Sequence, residues 1–119
     1  MNVAVVGASN KPDRYSYQAV MLLKEKGHAV YPVHQRIKEI DGMKVYPSIK
    51  DIANAMDTVS MYVRADVSSA IADDILAKKP RRIIFNPGAE NPQLEVQARA
   101  QGIATLNACT LVMLRTGQF

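Results

Sequence analysis

Five short apolar runs, each followed by a segment with helix signals, constrain the fold of this chain most strongly. The runs cover residues 2–6, 29–33, 57–63, 82–86 and 103–106. Strands that alternate with single helices form parallel sheets through right-handed crossovers. The alternation therefore predicts an α/β fold with a Rossmann-like, doubly wound, parallel five-stranded sheet, for which we expect the strand order 3-2-1-4-5. We expect residues 1–119 to form a single domain.

Helix signals fill the intervals between these runs. Helices are predicted to end near residues 26, 56, 79 and 101, with a last helical turn at 110–115. The predicted N-caps are Ser16, Ser48 in a capping box with Asp51, Asp66 or Ser68, and Asn91 followed by Pro92. Because ligands bind at the carboxyl ends of parallel strands, we expect a site in the loops there, near the switch point beside the first strand.

The first run ends at Gly7-Ala8-Ser9, and a helix signal follows a few residues later. In a doubly wound fold this turn holds nucleotide phosphates, because amides at the start of the helix favour an anion. The turn lacks the later glycines of the G-x-G-x-x-G pattern. We expect Gly7→Val to abolish ligand binding with little loss of the fold, since backbone and phosphate would meet there.

The end of the second run indicates which ribose the site prefers. Arg36 lies just beyond this end, and no acidic residue follows until Glu39. In NAD-binding folds an acidic residue here binds the ribose hydroxyls, whereas an arginine suits a ribose that carries an extra phosphate. NADP and coenzyme A both carry that phosphate. An NADP-binding oxidoreductase or redox-sensing domain is therefore an alternative that these residues leave open.

Charge and composition narrow the class of partner. The net charge of +4 fits a phosphate-rich ligand, but no nucleic-acid motif accompanies it. No apolar stretch approaches the roughly 20 residues that span a bilayer, so we expect no membrane partner. Cys109 is the single cysteine, which excludes an internal disulfide and, with no signal peptide evident, suggests a cytoplasmic protein. His28, His34 and Cys109 lack the spacing of metal ligands, so we expect no metal site.

Several motifs occur in order along nearly the whole chain. They are Gly7-Ala8-Ser9, Arg14-Tyr15-Ser16, Gly27-His28 with Val30-Tyr31-Pro32-Val33, Asn86-Pro87-Gly88-Ala89-Glu90 and Asn107-Ala108-Cys109. As an ordered set at the strand ends, they resemble the small stand-alone CoA-binding proteins. Those proteins are similar to the N-terminal domain of the succinyl-CoA synthetase α subunit.

The resemblance implies that the ligand is coenzyme A or an acyl-CoA. In the family the first glycine loop holds the pyrophosphate, and the second strand end meets the adenosine and its phosphate. The third strand end flanks adenine or ribose, and the P-G-A-E turn lines the pantetheine side. The residues expected to bind the ligand are Gly7, Ala8, Ser9, Asn10, Arg14, Ser16, Pro32, Val33, His34, Arg36, Val63, Arg64, Pro87, Gly88, Ala89, Glu90, Asn107 and Cys109. Many relatives have a basic residue just before the final cysteine, and Asn107-Ala108 departs from that pattern.

Cys109 has two interpretations. It is either a small buried apolar residue or a thiol near the pantetheine thiol that can form a mixed disulfide. No residue set here could transfer a phosphoryl or acyl group alone, so we expect a binding module rather than an enzyme, with no catalytic residue. The expected partner is a small nucleotide ligand. Self-association as a homo-oligomer and association with a partner enzyme chain both stay open.

Overall fold

The computed structural model describes all 119 residues, and a five-stranded parallel sheet forms its centre. The strands are β1 (Asn2–Val6), β2 (Ala29–Val33), β3 (Glu39–Ile40), β4 (Met43–Lys44), β5 (Thr58–Met61), β6 (Arg82–Phe85) and β7 (Ala104–Asn107). The helices are α1 (Tyr15–Glu25), a 3-10 turn (Ile49–Asp51), α2 (Ala65–Ala70), α3 (Ala72–Ala77), α4 (Pro92–Ala100) and α5 (Thr110–Arg115). None of these helices combines the length and apolar character that a bilayer span requires.

The sheet order is β2-β1-β5-β6-β7, and β3 and β4 form a separate antiparallel pair. In register, Val6 lies between Val33 of β2 and Met61 of β5. The carboxyl ends of these three strands are therefore level with one another. The loops that follow them meet at one edge of the sheet.

The predicted fold class is confirmed, but the expected strand order 3-2-1-4-5 is wrong. The third long strand, β5, pairs with β1 and not with β2. The reason lies at the outer edge of β2, where Tyr46 forms a parallel bridge with Val33. The Tyr46 amide donates to the Pro32 carbonyl (2.9 Å), and the His34 amide donates to the Tyr46 carbonyl (3.0 Å). Because that edge is covered, the chain returns to the free edge of β1.

Helices cover both faces of the sheet, as a doubly wound fold requires. Side chains alternate across β1, so Val3 and Val5 pack with Leu23 of α1 and Leu114 of α5. The opposite face holds the larger core cluster, in which Ala4 and Val6 join α3 and α4. The sheet is thus buried on both sides, consistent with the continuous apolar runs in the sequence.

Several helix boundaries differ from the sequence predictions. Ser16 is not an N-cap, because α1 begins at Tyr15 and Ser16 is buried in its first turn. The helix predicted to end near residue 79 is two short helices, interrupted at Ile71 (φ −113°). Ser48 does cap, but only the 3-10 turn. Asn91 is confirmed as the N-cap of α4, since its side chain accepts a hydrogen bond from the Leu94 amide (3.1 Å).

Candidate functional site

Two adjoining cavities open at the carboxyl ends of β1, β2 and β5. The first, of about 670 Å³, lies over the start of α1, and the second, of about 490 Å³, lies beside the end of β2. Gly7, His34 and Val63 line both cavities. Volumes of this size are typical of small-molecule sites. Both cavities lie beside the first strand, where a ligand site is expected in this type of fold.

Gly7 is required by the packing of the protein itself. Its φ of +88° is rarely adopted by other residues, and a Cβ placed there would lie 2.8 Å from Cγ1 of Val63 and 3.1 Å from the carbonyl carbon of Tyr62. The expectation that Gly7→Val leaves the fold nearly intact is therefore wrong. The valine side chain would meet Val63 before it met any ligand.

The amides around this turn are unequally available to a ligand. Those of Gly7 and Ala8 both donate to the Val33 carbonyl of β2, at 3.1 and 3.2 Å. Further along, a group of amides lining the first cavity donates to no acceptor within the protein. These belong to Ser9, Asn10, Tyr15 and Ser16. The last two begin α1, an 11-residue helix whose dipole adds positive potential there.

Unpaired cations border both cavities. Lys11 and Arg14 line the first cavity and Arg36 lines the second, and none of them forms an ion pair. No aspartate or glutamate lines either cavity. The crevice therefore presents a positive potential with several free hydrogen-bond donors, which suits a ligand with multiple negative charges.

The His34 side chain lies where the two cavities join. Its Nδ1 atom accepts hydrogen bonds from the amides of Arg36 (3.0 Å) and Ile37 (3.1 Å). The ring thus folds back onto the loop that follows its own strand. A nitrogen that accepts two amides is the unprotonated one, so the neutral ring carries its proton on Nε2.

Tyr62, directly after β5, lines the first cavity. Its hydroxyl is buried without a hydrogen-bond partner. Burial raises the pKa of Tyr62 to about 12. The nearby hydroxyls of Thr110 and Ser60 moderate that rise in pKa, although they share a hydrogen bond with each other (2.7 Å) and none of normal geometry with Tyr62. The electrostatic effect of the nearby Cys109 raises the pKa of Tyr62 further.

A buried polar cluster fixes the neighbouring strand ends. The Asn86 side chain donates to Ser60 Oγ (2.9 Å) and to the Met61 carbonyl (2.9 Å), and it accepts from the Thr110 amide (2.8 Å). Asn86 therefore joins the ends of β5 and β6 to the start of α5. Because Asn86 directly precedes the 87–90 turn, these hydrogen bonds anchor the start of that turn.

The structure brings most of the residues expected to bind a ligand into the two cavities. Those that line them are Gly7, Ala8, Ser9, Asn10, Arg14, Ser16, Val33, His34, Arg36 and Val63. The others lie outside both cavities: Pro32, Arg64, Pro87, Gly88, Ala89, Glu90, Asn107 and Cys109.

Contacts within the protein engage several of the outer group. Arg64 pairs with Asp66 (3.0 Å), Glu90 accepts from the Gly88 amide (2.8 Å), and Asn107 donates to Glu95 (3.3 Å). Cys109 is half-buried at the N-cap of α5.

Sequence reasoning missed other lining residues. These are Lys11, Tyr15, Ile37 and Tyr62 in the first cavity, and Val6, Gln35, Pro47, Ser48, Ile49, Val67 and Ile71 in the second. Lys11 follows Asn10 in the same loop, and its charge was a signal that could have found it. The apolar walls of the second cavity carry no comparable signal, because they come from the 3-10 turn and α2 and are brought together only by the fold.

Comparisons with known proteins identify a family and similar folds. A family model described as "CoA binding domain" matches residues 1–115. A solved structure of an uncharacterised protein superposes with a TM-score of 0.89 at 35% identity, covering 99% of this chain and 97% of the other. Uncharacterised protein YneT of Bacillus subtilis is 32% identical over 74 residues, which are 62% of this chain.

A third relative is the α subunit of acetate–CoA ligase (ADP-forming) II from Pyrococcus furiosus. It is 42% identical over 62 residues, or 51% of this chain. The match spans 55% of YneT and 14% of the ligase subunit. The family model, in contrast, covers nearly the whole of this sequence, as the ordered motifs do. The chain therefore belongs to the CoA-binding domain family.

Proposed function

We propose that this chain binds coenzyme A or an acyl-CoA across the two adjoining cavities. One observation carries the proposal: free amides at Ser9, Asn10 and the start of α1 open into a cavity that Lys11 and Arg14 border, with no carboxylate in its lining. Helix starts with such amides bind phosphate groups. In a member of the CoA-binding domain family, the group that fits this arrangement is the pyrophosphate of the cofactor.

The second cavity is suited to the adenosine end. Its walls are largely apolar and include Val33, Ile49, Val67 and Ile71, against which an aromatic base can pack. Arg36 lies at the same cavity and is unpaired. A guanidinium there supplies a charge-assisted hydrogen bond to the 3′-phosphate of the ribose.

The pantetheine arm would leave the first cavity toward the ends of β6 and β7. The 87–90 turn and Cys109 follow those strands, along the same edge of the sheet. This assignment rests on the family resemblance of the turn, since neither element lines a cavity. We place catalysis outside this chain, because the ligase relative aligns over only 14% of its own length.

The test is calorimetric titration with coenzyme A, dephospho-CoA, NADP and NAD. We expect the order of affinity to be coenzyme A, then dephospho-CoA, with both dinucleotides weaker. The comparison with NADP distinguishes the two candidate functions best, because NADP also carries a ribose phosphate that Arg36 could bind. Tighter binding of NADP than of coenzyme A would replace the proposal with an NADP-binding oxidoreductase or sensor.

A further inference from the structure

We propose that His34 is the residue that positions Arg36 for the ribose phosphate, and that it does so only while its ring is neutral. The inference rests on the proposed function, since its ligand is coenzyme A. Its mechanism is argued from the two hydrogen bonds that His34 Nδ1 accepts. His34 thereby determines the preference for the phosphorylated ribose without itself supplying the charge.

The loop that carries Arg36 has few anchors. The amides of Arg36 and Ile37 donate only to Nδ1 of His34, and the backbone of residues 35–37 makes no other hydrogen bond within the protein. His34 itself is fixed, because its amide donates to the Tyr46 carbonyl (3.0 Å) at the covered edge of β2. The imidazole ring is thus the polar link between the sheet and residues 35–37, which are otherwise held by the packing of Ile37 against the core.

Protonation would break this link. A proton on Nδ1 turns the acceptor of two amides into a donor that faces two donors. Both hydrogen bonds would be lost, and the segment bearing Arg36 would lose its polar anchors. The same loss would not affect the free amides at the start of α1, so pyrophosphate binding would be retained.

The surroundings offer a protonated ring no compensation. The titratable or charged residues that line the two cavities together with His34 come from the loop before α1, the start of α1, the end of β5 and its own loop. They are Lys11, Arg14, Tyr15, Tyr62 and Arg36. None is a carboxylate, so without a bound ligand the charged ring would gain no salt bridge within the protein in exchange for the two lost hydrogen bonds.

The first test needs no ligand. Long-range ¹H–¹⁵N correlation spectra of the imidazole at neutral pH report which ring nitrogen carries the proton. We expect His34 in the Nε2–H form, with an unprotonated Nδ1. An Nδ1–H form would overturn the inference whatever the protein binds.

The second test measures the ratio of affinities for coenzyme A and dephospho-CoA in wild type, His34→Asn and His34→Leu. An asparagine carbonyl can accept the amide two residues on, so it replaces Nδ1 with a group that does not titrate. At about pH 8 we expect wild type and His34→Asn to show similar ratios. We expect His34→Leu to lose roughly tenfold in the ratio, as for one charge-assisted hydrogen bond.

Acidification separates the effect of His34 from that of the ligand. The 3′-phosphate has its own pKa near 6, so the affinity ratio should fall somewhat in every variant. The affinity ratio of wild type should fall further than that of His34→Asn, because protonation of the ring removes both hydrogen bonds to the loop. Superimposed pH curves, or a low ratio for His34→Asn at about pH 8, would contradict the inference. If no variant binds either nucleotide, the proposed function fails, and the ligand-free spectra still decide the state of His34.

Discussion

Gly7 and Val63 lie so close that a Cβ atom on residue 7 would come within 2.8 Å of Val63 Cγ1. This contact ties the turn after β1 to the end of β5, where both cavities open. We expect Gly7→Ala to lower the free energy of unfolding by about 2–4 kcal/mol, through backbone strain at positive φ and the collision with Val63. Urea unfolding monitored by circular dichroism measures the loss.

The matched control is Gly27→Ala. Gly27 has the same φ of +88°, but a Cβ there would meet nothing within 4 Å. Gly27→Ala should therefore lower the free energy of unfolding only by the cost of backbone strain, about 1 kcal/mol. Equal losses at the two positions would show that the contact with Val63 is not what requires glycine at residue 7.

Asn86 should be among the most sensitive polar positions. Asn86→Ala would leave the buried Thr110 amide without an acceptor and would remove both donated hydrogen bonds, so we expect a loss of about 2–4 kcal/mol in unfolding free energy. Asn107→Ala is the control, because that exposed asparagine makes only one long hydrogen bond, to Glu95 (3.3 Å), and should change stability by less than about 0.5 kcal/mol. A small effect at Asn86 would mean that water replaces its role.

The sequence was most informative where a local rule decides the structure. Alternating apolar runs predicted the parallel sheet, and Asn91-Pro92 predicted the start of α4 correctly. The strand order depended on Tyr46 covering the edge of β2, a long-range pairing that no periodicity indicates. The break at Ile71 and the burial of Ser16 likewise follow from packing against neighbouring elements.

At the candidate site, too, local sequence rules predicted some features, and others followed only from packing. Strand-end reasoning located the residues after β1, β2 and β5, because parallel strands present their carboxyl ends at one edge. It did not show that the Gly7 and Ala8 amides are already bonded to Val33, which shifts the free donors to Ser9 and later residues. Tyr62 was missed because its significance is a buried, unpartnered hydroxyl, which only the packed structure reveals.

Tyr62 should give the protein a distinctive alkaline titration. Its pKa is raised from 10.0 to about 12, so one of the five tyrosines should ionise late in the folded protein. Since the pKa of Tyr62 is higher in the folded than in the unfolded protein, ionisation of this tyrosine favours unfolding. The free energy of unfolding should therefore keep its full value below pH 10 and fall as pH rises through about 12. The near-ultraviolet absorbance of tyrosinate, followed against pH, measures the transition.

Tyr62→Phe should remove that late transition, whereas Tyr15→Phe, which alters an exposed phenol, should leave it in place. The phenylalanine variant should also be at least as stable as wild type at neutral pH, because it removes a buried hydroxyl that has no partner. Clear destabilisation by Tyr62→Phe would show that the hydroxyl is hydrogen-bonded in solution.

Arg36 should distinguish between ligands that differ only in the ribose phosphate. We expect Arg36→Ala to weaken coenzyme A binding by about 1–3 kcal/mol and to affect dephospho-CoA much less. Lys38→Ala is the control, since Lys38 is an exposed cation of the same connection that lines neither cavity. Equal losses for the two variants would indicate a general effect of net charge rather than a contact.

The central claim is that the free amides between Ser9 and the start of α1 hold the pyrophosphate of coenzyme A. Backbone ¹H–¹⁵N spectra recorded during a coenzyme A titration test it most directly. We predict the largest shifts at Ser9, Asn10, Tyr15 and Ser16, with little change at Gly27 and Gly102, which lie at the opposite end of the sheet. Saturable binding that leaves those four amides unshifted, or no binding at all, would contradict the account.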